Sequence, residues 1–151
     1  MFAAIFSALH LLALGLGLGA VWSRGRALRA LTREPQAIAR VLAADSAWGI
    51  AALLWIGSGL TRVLGGLDRD TGFYVHNGFF WTKMAVFGLV FGLEMGPMIT
   101  FVRWRMARAR GATPETRRAA MLARINDAEM VLIVVIVFIA AMMARGLWLL
   151  A

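Results

Sequence analysis

Polar residues divide the hydrophobic pattern of this chain into four long apolar runs, over about 2–22, 41–64, 78–102 and 125–150. At about 1.5 Å of rise per helical residue, each run is long enough to cross a hydrocarbon core of about 30 Å. None shows the short, strictly alternating segments that membrane strands need. Without water to bond to, a spanning backbone must satisfy its own hydrogen bonds, so the runs predict helices. The expected fold is all-α: an integral membrane four-helix bundle forming a single domain over residues 1–151.

The gaps between the runs give the bundle a direction. The first carries Arg24, Arg26, Arg29, Arg33 and Arg40 against Glu34. The third carries Arg103, Arg105, Arg108, Arg110, Arg117, Arg118 and Arg124 against Glu115. The second, Gly65 to Gly72, is short and turn-rich, with Asp68, Arg69 and Asp70. The positive-inside rule places the first and third connections in the cytoplasm and both termini on the outer, periplasmic side. Thr113-Pro114-Glu115 reads as an N-cap with proline at the first helical position, predicting a short amphipathic helix before the fourth span. No positive segment precedes the first apolar run, so it reads as a retained span rather than a cleaved signal.

Composition agrees with this picture. The 151 residues are 61% hydrophobic, more than a soluble domain of this size needs. Cysteine is absent, which removes disulfides, thiolate metal sites and thiol catalysis. The net charge of +8 is almost entirely arginine, gathered in the gaps between apolar runs. That placement points to anionic lipid headgroups as partners and not to nucleic acid.

Ionisable residues inside spans are costly and mark function unless they are paired. They are His10, Asp45, Arg62, Lys83, Glu94, Asp127, Glu129 and Arg145. His10, Arg62, Lys83 and Arg145 fall in the outer half, one per span. The acids fall in the inner half, where they can pair with cytoplasmic arginines or lie near the positive ends of their helices. Arg62 and Arg145 can instead snorkel to the outer headgroups. His10 lies too deep to snorkel. A neutral imidazole there serves as a ligand for haem iron, copper or zinc, or as a structural hydrogen-bonding group. Lys83, the single lysine, needs an acid, a carbonyl or an anionic ligand. Glu94 follows Lys83 by three helical turns, about 16 Å, so the two mark the ends of one polar seam without pairing.

Other features have plainer readings. Gly15, Gly17, Gly19, Gly57, Ser58 and Gly59 permit close helix approach, or room for a flat ligand. His76, beside the aromatic stretch around Tyr74 and Trp81, reads as a surface group at the outer boundary in preference to a second ligand. The methionines read mostly as core filling. No nucleophile triad, phosphate loop or dinucleotide fingerprint occurs.

The stretches Ala8-Leu9-His10-Leu11-Leu12, Ala44-Asp45-Ser46-Ala47-Trp48-Gly49-Ile50, Phe80-Trp81-Thr82-Lys83-Met84 and Glu94-Met95-Gly96-Pro97-Met98 together resemble a bacterial four-span family. It is catalogued as domain of unknown function 2214. The likeness covers nearly the whole chain and implies a multi-pass protein of the bacterial cytoplasmic (inner) membrane. More distantly, Ala8-Leu9-His10 and the Trp81–Lys83 pair are similar to motifs of HemJ-type protoporphyrinogen oxidases. In those four-span proteins the His and Lys are essential and haem b is bound. Two differences stand out: Trp81 precedes Lys83 by two positions rather than four, and Glu94 stands where those proteins carry a further His. CopD-type copper-resistance membrane proteins share a similar first span.

These likenesses imply a protein that binds haem b or a porphyrin within its bundle. His10 would be the metal ligand, and Lys83, Arg62 and Arg145 would be cofactor-binding cations. If the protein is an oxidoreductase, Lys83 and Glu94 are the expected catalytic pair, with Glu94 as proton relay. Whether it is an enzyme at all stays open. The alternatives are a copper, metal-ion or small-solute handling protein, and a non-catalytic assembly subunit. The small interior of a four-helix bundle makes a homo-oligomer compatible with all three.

Overall fold

A computed structural model describes residues 1–66 and 69–149. The helices are α1 (Phe2–Ala30), α2 (Ala37–Leu64), α3 (Thr71–Val75), α4 (Gly78–Ala109) and α5 (Ala119–Ala144). All but α3 are long and apolar enough to cross a membrane. Among the described residues the only extended pairing is one bridge between Asn77 and Leu149. The chain is thus an all-helical bundle with four candidate spans.

The helices overrun the apolar runs at the arginine-rich end. α1 continues past Trp22 to Ala30 because its buried stripe continues: Ala13, Gly17, Ala20, Val21, Arg24, Ala27 and Leu28 recur at helical spacing. α4 likewise runs on to Ala109, and α5 begins at Ala119. The helix expected at Thr113-Pro114-Glu115 does not form; residues 112–116 are without regular structure. The Glu115 carbonyl instead accepts the indole N–H of buried Trp104 at 3.0 Å, which holds the segment against α4.

At the opposite end α5 stops at Ala144, earlier than the expected limit near residue 150. Gly146 adopts φ 72°, a left-handed conformation that terminates the helix. The chain then folds back over the start of α4. Gly78 N–H donates to the Trp148 carbonyl at 3.0 Å, and the Asn77 side-chain amide donates to the Leu147 carbonyl at 3.1 Å. A Cβ at Gly78 would lie 2.5 Å from the Trp148 ring, so only glycine admits this contact. Leu150, and Leu67 and Asp68 of the expected outer loop, lie outside the described residues.

α1 packs between α2 and α5, and α4 packs mainly on α5. α2 and α4 meet sparsely, and α1 and α4 stand diagonally, without backbone contact. Close approach of α1 and α2 rests on glycine: a Cβ at Gly17 would fall 2.9 Å from the Trp48 ring. Gly15, Gly19 and Gly57 face open space instead. The interior has two apolar layers. One, at the arginine-rich end, includes Leu28, Leu31, Val41, Phe101, Trp104 and Leu122. The other, nearer the middle, includes Ala13, Val21, Trp48, Trp55, Val90 and Ile133. The outer faces stay apolar, with Leu53 73% and Phe138 63% exposed, as a lipid-facing surface requires.

Candidate functional site

Between the two apolar layers lies a polar layer built on Arg24, whose side chain is fully buried. It collects partners from the other three long helices. Its guanidinium donates to Glu94 on α4 through two bonds, at 2.6 and 2.9 Å. It donates to Glu129 on α5 at 2.6 Å and to Asp45 on α2 at 3.2 Å. Its Nε–H donates to Asn126 Oδ1 at 2.8 Å, while the Asn126 amide donates to the Val21 carbonyl at 3.0 Å. The planar fork of arginine suits this many-sided carboxylate contact. The Phe101 ring lies 5.7 Å below the guanidinium.

A second cation, Arg105 on α4, closes the layer. It donates to Asp45 at 2.7 Å, to the Leu42 carbonyl at 3.1 Å and to Ser46 Oγ at 3.0 Å. Glu129 is fully buried, and no donor among the described residues reaches its Oε1.

A separate group occupies the half of the bundle that holds the termini. His10 Nδ1 lies 2.9 Å from Ser58 Oγ. The Ser58 hydroxyl has one proton, and its 2.6 Å bond to the Leu54 carbonyl takes it. Ser58 therefore accepts from Nδ1–H, which puts the imidazole lone pair on Nε2. The ring rests 5.9 Å from Trp55 and against Gly59, where a Cβ would lie 3.1 Å from His10 Cε1. Trp55 in turn meets Phe87 of α4 edge-on at 6.3 Å. Its indole Nε1 is buried with no acceptor among the described residues.

Trp55, Ser58 and Arg62 share one face of α2, and Phe80, Lys83 and Phe87 share one face of α4. Lys83 is half-buried, 5.4 Å from the centre of the Phe80 ring. Its charged neighbour is Arg62, of like sign, and no carboxylate among the described residues pairs with it.

The expected site residues thus divide. His10 on α1 packs against Ser58, Trp55 and Gly59 of α2, and Lys83 on α4 neighbours Arg62 of α2, in the same half of the bundle. Arg145 does not join them: it is the exposed C-cap of α5, outside the helix expected to hold it. Lys83 and Glu94 do not meet, since Glu94 is held by Arg24. The acids pair with arginines as expected, Asp45 and Glu129 inside the bundle and Asp127 with Arg29 on its surface at 2.8 Å. His76 is exposed and bonded to the Gly72 carbonyl at 2.9 Å. Arg24 is the correction of most weight, because it leaves the first connection for the interior. Asn126, Ser58 and Trp55 also enter the sites without having been singled out for them.

The side chains in this half of the bundle, on α1, α2 and α4, are of types that can bind a haem. One imidazole donates through Nδ1 to Ser58, two cations can meet carboxylates, and a buried indole N–H has no acceptor among the described residues. No group of three or more His, Cys, Asp or Glu among the described residues is placed to hold a bare metal ion. Two cavities lie elsewhere: about 350 Å³ beside Pro35 and Thr113, and about 220 Å³ beside Trp22 and Asn126.

A family described as "Predicted membrane protein (DUF2214)" matches residues 2–147. No curated protein and no solved structure matches the chain.

Proposed function

We propose, from the premise that the chain belongs to this family of predicted membrane proteins, that it binds haem b or a related anionic porphyrin within its four-span bundle. The binding place is the seam between α2 and α4 in the half that holds the termini. The observation that carries this reading is Lys83: a half-buried ammonium beside Arg62, with no carboxylate among the described residues paired to it. An ammonium without a paired carboxylate is unfavourable in a region of low dielectric and becomes favourable beside an anion. Porphyrin carboxylates supply such an anion, and charge-assisted bonds to them are strong there. His10 would ligate iron through Nε2, with Ser58 fixing its orientation. The sparse contact between α2 and α4 favours entry of a flat ring from that side.

Haem supplies one-electron chemistry when bound. The chain's own part is to orient the ring, neutralise its carboxylates and exclude water. The resemblance of the His10 and Lys83 motifs to HemJ-type proteins supports an oxidoreductase role. The arginine-rich connections support a place in the bacterial inner membrane with both termini periplasmic.

Protein purified from membranes of haem-supplemented cells should show a Soret band that His10→Ala abolishes and Lys83→Ala weakens. A colourless wild-type protein under those conditions overturns the reading.

A further inference from the structure

The polar layer at Arg24 has more negative than positive charge. Arg24 on α1 and Arg105 on α4 face Asp45 on α2, Glu94 on α4 and Glu129 on α5. With every group ionised the layer carries one excess negative charge, enclosed by apolar layers on both sides. Asn126 accepts from Arg24 at Oδ1 and donates to the Val21 carbonyl, and Ser46 accepts from Arg105. The excess falls where Glu129 is fully buried and its Oε1 has no donor among the described residues. Glu129 and Glu94 also bond the same Arg24 nitrogen, Nη2, at 2.6 and 2.9 Å. Their carboxyl groups are therefore close neighbours.

We propose that Glu129 and Glu94 form an intramembrane proton-binding site, with the proton held on Glu129 Oε1. On binding, an O–H bond forms at Oε1, the proton comes from a hydronium ion or water, and the layer becomes neutral. The new hydroxyl supplies the donor that Oε1 lacks, directed at a neighbouring carboxylate oxygen. Glu129 keeps its Oε2 bond from Arg24, so the four-helix contact survives protonation. Glu94 and Asp45 are the less buried acids of the layer, 18% and 13% exposed against 0% for Glu129, so the proton would exchange through them. The site is separate from the α2–α4 seam and does not depend on a haem being bound.

Infrared spectroscopy of the protein at neutral pH, in a detergent without ester carbonyls, tests this. A carboxylic acid C=O band should be present, should shift after exchange into D2O, and should vanish in Glu129→Gln. Glutamine copies the shape and neutrality of the protonated acid, so Glu129→Gln should also keep the wild-type melting midpoint. Glu129→Asp, which retains an acid, should keep the band at a changed frequency. A wild type without the band overturns the proposal. So does a band that persists in Glu129→Gln, or a Glu129→Gln protein that no longer folds, since the charge would then be needed.

Discussion

Arg24 and Glu94, seventy residues apart, join the diagonal helices α1 and α4 through paired hydrogen bonds at 2.6 and 2.9 Å. The backbones of these helices do not touch. Arginine spans the gap because its side chain is long and its fork matches a carboxylate. The same guanidinium reaches Glu129 and Asp45, so one residue of α1 ties all four spans together.

Arg24→Met leaves three carboxylates facing one another in the interior without their central cation. Breaking a buried ion pair by removing one partner costs about 3–5 kcal/mol. The variant should show a large fall in melting midpoint in detergent, or fail to accumulate in membranes. Arg24→Lys should recover little of the loss, because an ammonium cannot make the paired bonds. A Lys variant as stable as wild type would show that charge alone suffices.

Gly25→Ala should damage the same layer indirectly. A Cβ at Gly25 would lie 2.6 Å from Asn126 Nδ2, so Asn126 must move away from both Arg24 and the Val21 carbonyl. Gly19 serves as the control on the same helix, because a Cβ there meets nothing within 4 Å. Alanine at an unobstructed helical position gains up to about 1 kcal/mol over glycine. Thermal melts should therefore separate the two, with Gly25→Ala lowered and Gly19→Ala unchanged or raised.

Asp45 and Asp127 invite a comparison by burial. Asp127 pairs with Arg29 at the surface, both side chains about half exposed at 58% and 48%. Exposed pairs contribute about 0–1 kcal/mol and are screened by salt. Asp127→Asn should leave the melting midpoint nearly unchanged. Asp45, 13% exposed, serves both Arg24 and Arg105. Asp45→Asn should lower the midpoint clearly, and added salt should not close the difference between the two variants.

The spans were legible in the sequence because twenty apolar residues in a row have few other uses. The ends of the helices were less so. Hydropathy falls at Ser23 and Arg24, yet the helical stripe of Gly17, Ala20, Val21, Arg24 and Leu28 continues unbroken. Arg24 was hidden by its neighbours, reading as the first of a cytoplasmic arginine series. Two signals pointed the other way. It keeps the spacing of the small buried residues before it, and the acids at 45, 94 and 129 require a cation among them. Arg145 misled in the opposite sense: Gly146 stops α5 there, so apolar Leu147 and Trp148 belong to a fold-back and not to a span. At the other site His10 and Lys83 were legible as ionisable residues in apolar runs. Ser58 and Trp55 were not, since a serine and a tryptophan in a span have ordinary packing uses.

The proposed orientation rests on the arginines that remain outside the bundle. With Arg24 turned inward, the end carrying the α1–α2 connection still exposes Arg26, Arg29, Arg33 and Arg40. The α4–α5 side exposes Arg103, Arg108, Arg110, Arg117, Arg118 and Arg124. The bias therefore persists, and the positive-inside rule counts such residues close to the span ends. The chain has no cysteine, so a single introduced thiol reports its own side of the membrane. Val75, 46% exposed, lies at the end holding the termini, and exposed Ala112 lies in the α4–α5 connection. A membrane-impermeant thiol reagent applied to intact spheroplasts should label Val75→Cys and spare Ala112→Cys until the membrane is opened. The reverse pattern would place the arginine-rich end outside. It would then place the Arg24 layer in the periplasmic half of the bundle and His10 and Lys83 in the cytoplasmic half.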